Sequence, residues 1–169
     1  MKLLGALLIV VSCTAAGYLT SYTLARRTAA LKSFAAVLEL LQSEILVRRT
    51  ALPMAALLCS QQGSGAGPRF FAALYERMEQ APGQDFAALF RGVLQEGRWD
   101  LLQEDRALLE ELGPVLGRYD GAVQADAIAA CRGRLLQNAD RAREEQERKG
   151  RISRAAGASF GIALALLVI

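Results

Sequence analysis

The chain has 169 residues, 53% of them hydrophobic, with 20 basic against 17 acidic side chains and no histidine. The missing imidazole removes the commonest general base, the Ser-His and Cys-His nucleophile pairs and most zinc sites. A net charge of +3 argues little for nucleic acid, because the excess cations lie at the borders of two apolar runs and not on one face of a domain.

Leu3 to Leu24 is a run of 22 residues without a charge, about 33 Å of helix against a hydrocarbon core of about 30 Å. It is predicted to span a membrane, as a first domain over 1–25. A signal peptide, or lipidation at Cys13 after Val10-Val11-Ser12, is the alternative for this stretch. The uncharged residues that continue after Cys13 argue against cleavage. Beyond it, Phe34, Leu38, Leu41 and Ile45 recur at helical spacing, so the first helix is predicted to run to about Arg49. Thr50 is predicted to cap a second helix with Pro53 in its first turn. The glycines between Gly63 and Gly67 break the chain, and Pro68 opens a third helix carrying Phe70, Phe71, Leu74 and Met78. Asp85 is expected to cap a fourth, with Phe86, Leu89, Phe90 and Val93 on its apolar face and Gly97 at its end.

A fifth helix is predicted from about Gln103 to Gly117, burying Leu108, Leu109, Leu112 and Leu116 and bent at Pro114. Asp120 then caps a long sixth helix whose stripe is Val123, Ala127, Cys131 and Leu135. From Gln137 to Arg151 mixed charges take over, with Arg141/Glu145 and Glu144/Arg148 pairs at i, i+4, as in a polar helix leading to the membrane. The last run, Ala155 to Ile169, has 15 residues. It crosses a bilayer only if Ile152 and Ser153 join it and Arg154 snorkels, giving a second span over 151–169.

The fold class expected from these elements is all-α: an antiparallel bundle of about six helices over 26–150, flanked by N- and C-terminal transmembrane helices. Arg26, Arg27 and Lys32 follow the first span, and Arg148, Lys149, Arg151 and Arg154 precede the second. The positive-inside rule therefore puts the bundle in the cytoplasm and both termini outside, in a two-pass membrane protein. Small residues repeat every four positions at Cys13, Gly17 and Ser21 and at Ser153, Gly157, Gly161 and Ala165. Such strips let helices pack within one chain or between copies, so a homo-oligomer is one expectation, and ordinary enrichment of small residues in spans is the plainer explanation.

Chemistry-bearing residues are few. Cys13, Cys59 and Cys131 lack paired spacing and read as small buried hydrophobes. Glu39, Glu44, Asp100, Glu104, Asp105, Glu110 and Glu111 fall mostly on predicted solvent faces. Glu44 stands apart, beside the apolar stripe one turn before Arg48, where an i, i+4 ion pair is the plainer alternative to a site. No phosphate-binding glycine loop is present. An enzyme built on this chain would need an acidic cleft; a scaffold without cofactor or metal is the expectation.

The opening Lys2-Leu-Leu-Gly-Ala-Leu-Leu-Ile9, the stretch Leu38-x-x-Leu41-x-x-Glu44-Ile45 followed by Thr50-x-Leu52, and Leu112-Gly113-x-x-Leu116-Gly117-x-x-Asp120-x-x-x-Gln124 together resemble the stage III sporulation protein AB family. So does the ending, a charged helix before Gly157-x-x-x-Gly161 and an apolar carboxyl terminus. The resemblance covers nearly the whole chain. Two departures are Ala51-Leu52-Pro53, where Pro-Leu usually follows the threonine, and Pro114 inside the Leu-Gly helix. The resemblance implies a part in the envelope complex that joins mother cell and forespore, in the mother-cell (outer forespore) membrane. It also implies a soluble part similar to the cytoplasmic domains of the type II secretion platform protein F. The implied partner is a secretion-type sporulation ATPase, stage III sporulation protein AA, with other proteins of that complex. Glu44, Leu112, Gly113, Leu116, Gly117, Asp120 and Gln124, with Gly157 and Gly161, are the candidate packing or interaction residues. For Gly113 and Gly117, close helix packing competes with a recognition surface. A generic membrane-anchored scaffold or lipoprotein outside sporulation is the alternative.

Overall fold

The computed structural model describes the backbone of residues 2–118 and 120–168 and the side chains of residues 22–118 and 120–149. Six helices follow in order, α1 (Lys2–Leu46), α2 (Leu52–Ser60), α3 (Ala66–Gln80), α4 (Phe86–Glu96), α5 (Gln103–Glu110) and α6 (Gly121–Val168), with no strand among the described residues. The chain divides into two compact units, Arg27–Asp140 and Met1–Arg26 with Arg141–Ile169. No described residues form a helix long and apolar enough to cross a membrane. The runs expected as spans, 1–25 and 151–169, lie with nearly all their side chains outside the described residues. Cys13, Arg151, Arg154, Gly157 and Gly161 share that status.

Within Arg27–Asp140, α1 and α6 run side by side in opposite directions. Arg132 Nη2 donates to Glu39 Oε2 at 2.8 Å, and a Cβ on Gly121 would stand 3.6 Å from the Ile45 carbonyl oxygen. The α1 periodicity is realised as predicted, with Phe34, Leu38, Leu41 and Ile45 all buried, and Leu31 extends the stripe toward the N-terminus. They pack with one continuous core drawn from every helix of the unit. Phe70 is its hub, with ring centroids 5.5 Å from Phe34, 4.9 Å from Phe90 and 5.5 Å from Trp99. These separations suit the tilted and edge-on arrangements that aromatic quadrupoles favour.

Local chemistry explains where the elements differ from expectation. α1 stops at Leu46, and Arg49 takes a left-handed φ of 52°. The turn lets the Thr50 N–H reach back to the Glu44 carbonyl at 2.9 Å. Thr50 therefore does not cap α2; its Oγ1 donates to Glu44 Oε2 at 2.8 Å, and Ala51 holds the N-cap position without a side-chain bond. α3 opens at Ala66, ahead of Pro68, because Ser33 of α1 supplies the missing cap: its Oγ accepts the Gly67 N–H at 3.1 Å. Asp85 does precede α4 but makes no cap bond, since its carboxylate accepts from Arg118 Nη2 at 2.9 Å.

The predicted fifth helix ends early, at Glu110. Pro114 has no N–H to offer the Glu110 carbonyl and would crowd it, so the chain continues in tight turns. Gly113 N–H takes up the Glu110 carbonyl at 3.2 Å, and Val115 N–H takes up that of Leu112 at 3.0 Å. Leu112 and Leu116 still reach the core. The α6 stripe is shifted from the predicted one: Val123 is 48% exposed, and the buried line is Gln124, Ile128, Cys131, Leu135 and Ala139. Apolar burial thus persists past Gln137. Along the charged stretch, the ion pairs include Arg143 with Glu147 and Lys149 with Glu145.

Candidate functional site

Residues separated in sequence converge where α1 ends and α6 begins. A groove of about 580 Å³ opens there, with Ile45, Leu46 and Arg49 on one side, Thr50 and Leu52 beside them, and Gly117, Asp120 to Ala122 and Gln124 opposite. Glu44 lies behind the groove's wall, 2% exposed, and is fully engaged: Arg48 Nη1 is 2.9 Å from its Oε1, and Thr50 Oγ1 donates to its Oε2. It is a structural anchor for the α1–α2 turn, as the ion-pair alternative had it. Gly117 has a φ of 88°, so its need is conformational. Gly113 is different, because a Cβ there would meet Ala87 only at an ordinary 3.5 Å. At Gly117 packing adds to the conformational need, since a Cβ there would stand 3.1 Å from Leu52 Cδ1.

Of the large exposed apolar side chains, Leu46, 48% exposed, lines this groove, and Val47, 74% exposed, follows it in the chain. Arg49 is exposed, and its side chain has no partner among the described residues. Sequence reasoning passed over Leu46, Val47 and Arg49. The available signal was two large apolar residues and two arginines running past the end of a helix that had already supplied its core positions.

A second constellation centres on Arg27, in the middle of α1. Arg27 Nε and Nη2 donate to Asp105 Oδ2 and Oδ1 at 2.8 and 2.9 Å, and Asn138 Nδ2 donates to Oδ1 at 2.9 Å. The Leu102 N–H completes the set at 3.1 Å, closing the first turn of α5. Asp105 is entirely buried and the Arg27 side chain 11% exposed. Hydrogen bonding to Asp105 raises the guanidinium pKa, against the lowering effect of burial. Arg27 therefore spends its charge inside the bundle, and Asp105 leaves the solvent-facing group in which its spacing placed it. Of the other border cations, Arg26, Arg148 and Lys149 are exposed, with Arg26 5.9 Å from the Tyr22 ring centroid.

The remaining acids are dispersed. Glu39 pairs with Arg132, Glu104 with Arg27 and Glu111 with Arg134, while Glu110 accepts from Gln95. No cluster of three or more potential metal ligands occurs among the described residues. Cys59 and Cys131 are buried thiols donating to the Val37 and Leu108 carbonyls, and burial pushes both up to about 12. At neutral pH such thiols are neither nucleophiles nor ready ligands.

The groove and the Arg27–Asp105 pair lie in a chain that resembles one known family over nearly its whole length. The family model described as stage III sporulation protein AB matches residues 2–169. A solved structure of "Stage III sporulation protein AB (SpoIIIAB)" is 21% identical and superposes with a TM-score of 0.65, covering 73% of this chain and 98% of that one. At that identity the likeness is one of fold. No curated protein matches. With a family model matched from residue 2 to residue 169, the chain belongs to the stage III sporulation protein AB family.

Proposed function

We propose that this chain is a non-enzymatic platform component of the mother cell to forespore channel complex, anchored by two membrane spans and docking a cytoplasmic secretion-type ATPase. The family match over residues 2–169 carries this reading, because it takes in both apolar runs and the helical unit as one arrangement. The engagement of Glu44, Asp105 and Glu39 in ion pairs, and the two protonated thiols, agree with a scaffold role. The platform sits in the mother-cell membrane with residues 26–150 in the cytoplasm and both termini outside. Its partners there are stage III sporulation protein AA and other members of the complex.

The test is affinity purification of the tagged full chain from sporulating cells, followed by identification of what comes with it. The sporulation ATPase is expected in stoichiometric yield, and deletion of the gene is expected to abolish spores while leaving growth normal. Normal sporulation after deletion overturns the reading in favour of a membrane anchor with another role.

A further inference from the structure

The buried carboxylate of Asp105 holds two helices with one oxygen. Its Oδ1 accepts from Arg27 Nη2 on α1 and from Asn138 Nδ2 on α6, both at 2.9 Å. Its Oδ2 accepts from Arg27 Nε at 2.8 Å and from the Leu102 N–H at 3.1 Å, the bond that closes the first turn of α5. Arg27 is the first residue of the helical unit, and Asn138 stands close to its last, Asp140. One side chain therefore both caps α5 and ties α1 to α6 at the two chain ends of the unit. Apolar burial does not hold that turn down: of the α5 side chains from Gln103 to Ala107, Asp105 alone is buried, and Leu109 is the helix's buried apolar residue. Arg106 fastens the turn to the end of α4 through the Leu94 and Gly97 carbonyls.

We propose that the Asp105 carboxylate is a latch: the first turn of α5, over 102–106, opens and closes as a local unit, according to the separation of α1 and α6 at Arg27 and Asn138. A hydrogen bond of 2.9 Å is lost once its heavy atoms stand about 3.6 Å apart. A shift of less than about 1 Å between the two helices thus removes a donor from Oδ1. A buried carboxylate short of a donor gains by turning to water, and it takes the Leu102 cap with it. Parting the ion pair also returns two charges to water, which makes opening less costly than separating apolar surfaces of the same size. Phe70 of α3 and Phe90 of α4 pack ring against ring without any part in this network, so they stay closed when the turn opens.

The experiment is amide hydrogen exchange on the full chain in detergent micelles, paired with the distance between spin labels on cysteines placed at Ala29 and Gln137, both exposed, in a chain whose native cysteines are replaced by alanine. The Asp105 and Arg106 N–H groups, both bonded to the Leu102 carbonyl, report the turn, and those of Phe71 and Leu74 report α3. In the parent the α5 pair is expected to exchange at least about tenfold faster than the α3 pair. Asn138→Ala is expected to speed the α5 pair by about tenfold more, to leave the α3 pair unchanged and to broaden the label distances. Asn138→Asp, which sets a second carboxylate against Asp105, is expected to do the same more strongly. Exchange of both pairs in step, in the parent or in either variant, means that α5 opens only with the whole unit and overturns the latch. Faster α5 exchange with unchanged label distances overturns the coupling to α1 and α6, leaving a turn that frays by itself.

Discussion

Asp105 shows how much a single side chain settles in this unit. Its carboxylate is wholly buried and accepts from Arg27, Asn138 and the Leu102 N–H, so it ties together α1, α5 and α6. Removing one partner of such a pair strands a buried charge, which costs more than the pair itself contributes. Asp105→Asn is expected to destabilise the full chain in micelles by about 3 to 5 kcal/mol, read from denaturant midpoints. Arg27→Met combined with Asp105→Leu is expected to recover most of the loss; a double variant as unstable as the single one would mean the charge is not what matters. The two thiols give a pH prediction. Each has a folded pKa of about 12 against an ordinary 9.0. The folded state therefore holds protons that the unfolded chain releases, so this stabilisation is complete below about pH 9 and is lost as pH rises toward about 12. Comparing denaturant midpoints at about pH 8 and about pH 11, the parent is expected to fall more steeply than a Cys59→Ala, Cys131→Ala variant.

At the scale of elements, the turn region after α5 is where sequence and structure are most instructively at odds. Leu112 and Leu116 lie outside any α-helix, yet their exposures of 2 and 1% make them as central as the α1 leucines. Leu116→Ala is accordingly expected to cost about 2 to 5 kcal/mol, and a loss below about 0.5 kcal/mol would place this face outside the core. Helical periodicity located these leucines correctly because tight i, i+3 turns preserve nearly the same facing, while Pro114 decided the hydrogen bonding that periodicity does not encode. The α1 stripe was legible for the simpler reason that one helix face meets one core. What the sequence concealed was side-chain bonding between elements distant along the chain. Ser33 capping α3, and Arg27 clipping Asp105, join residues 34 and 78 positions apart, a pairing no local pattern announces. The groove was half legible: Gly117, Asp120 and Gln124 were singled out, while Leu46 and Arg49 fell inside a helix expected to run to about Arg49, where the left-handed turn at Arg49 left no local signal.

For the whole molecule, the proposed platform role turns on what the two apolar runs do. Ser153, Gly157, Gly161 and Ala165 repeat every four residues in one apolar run, and Cys13, Gly17 and Ser21 do so in the other. Small side chains at that spacing allow helix backbones to approach closely, which in a bilayer replaces the hydrophobic driving force that lipid does not supply. If the strips fix how the helices associate, they also fix how the soluble unit is offered to its partner. Replacing Gly157 and Gly161 together by leucine adds bulk without adding polarity, so insertion is expected to be unchanged. A reporter after Ile169 should still read outside and one in the 63–67 loop inside, at normal protein levels. Complex assembly and spore yield are expected to fall. Normal sporulation by that variant would reject the packing role and leave the two runs as simple anchors.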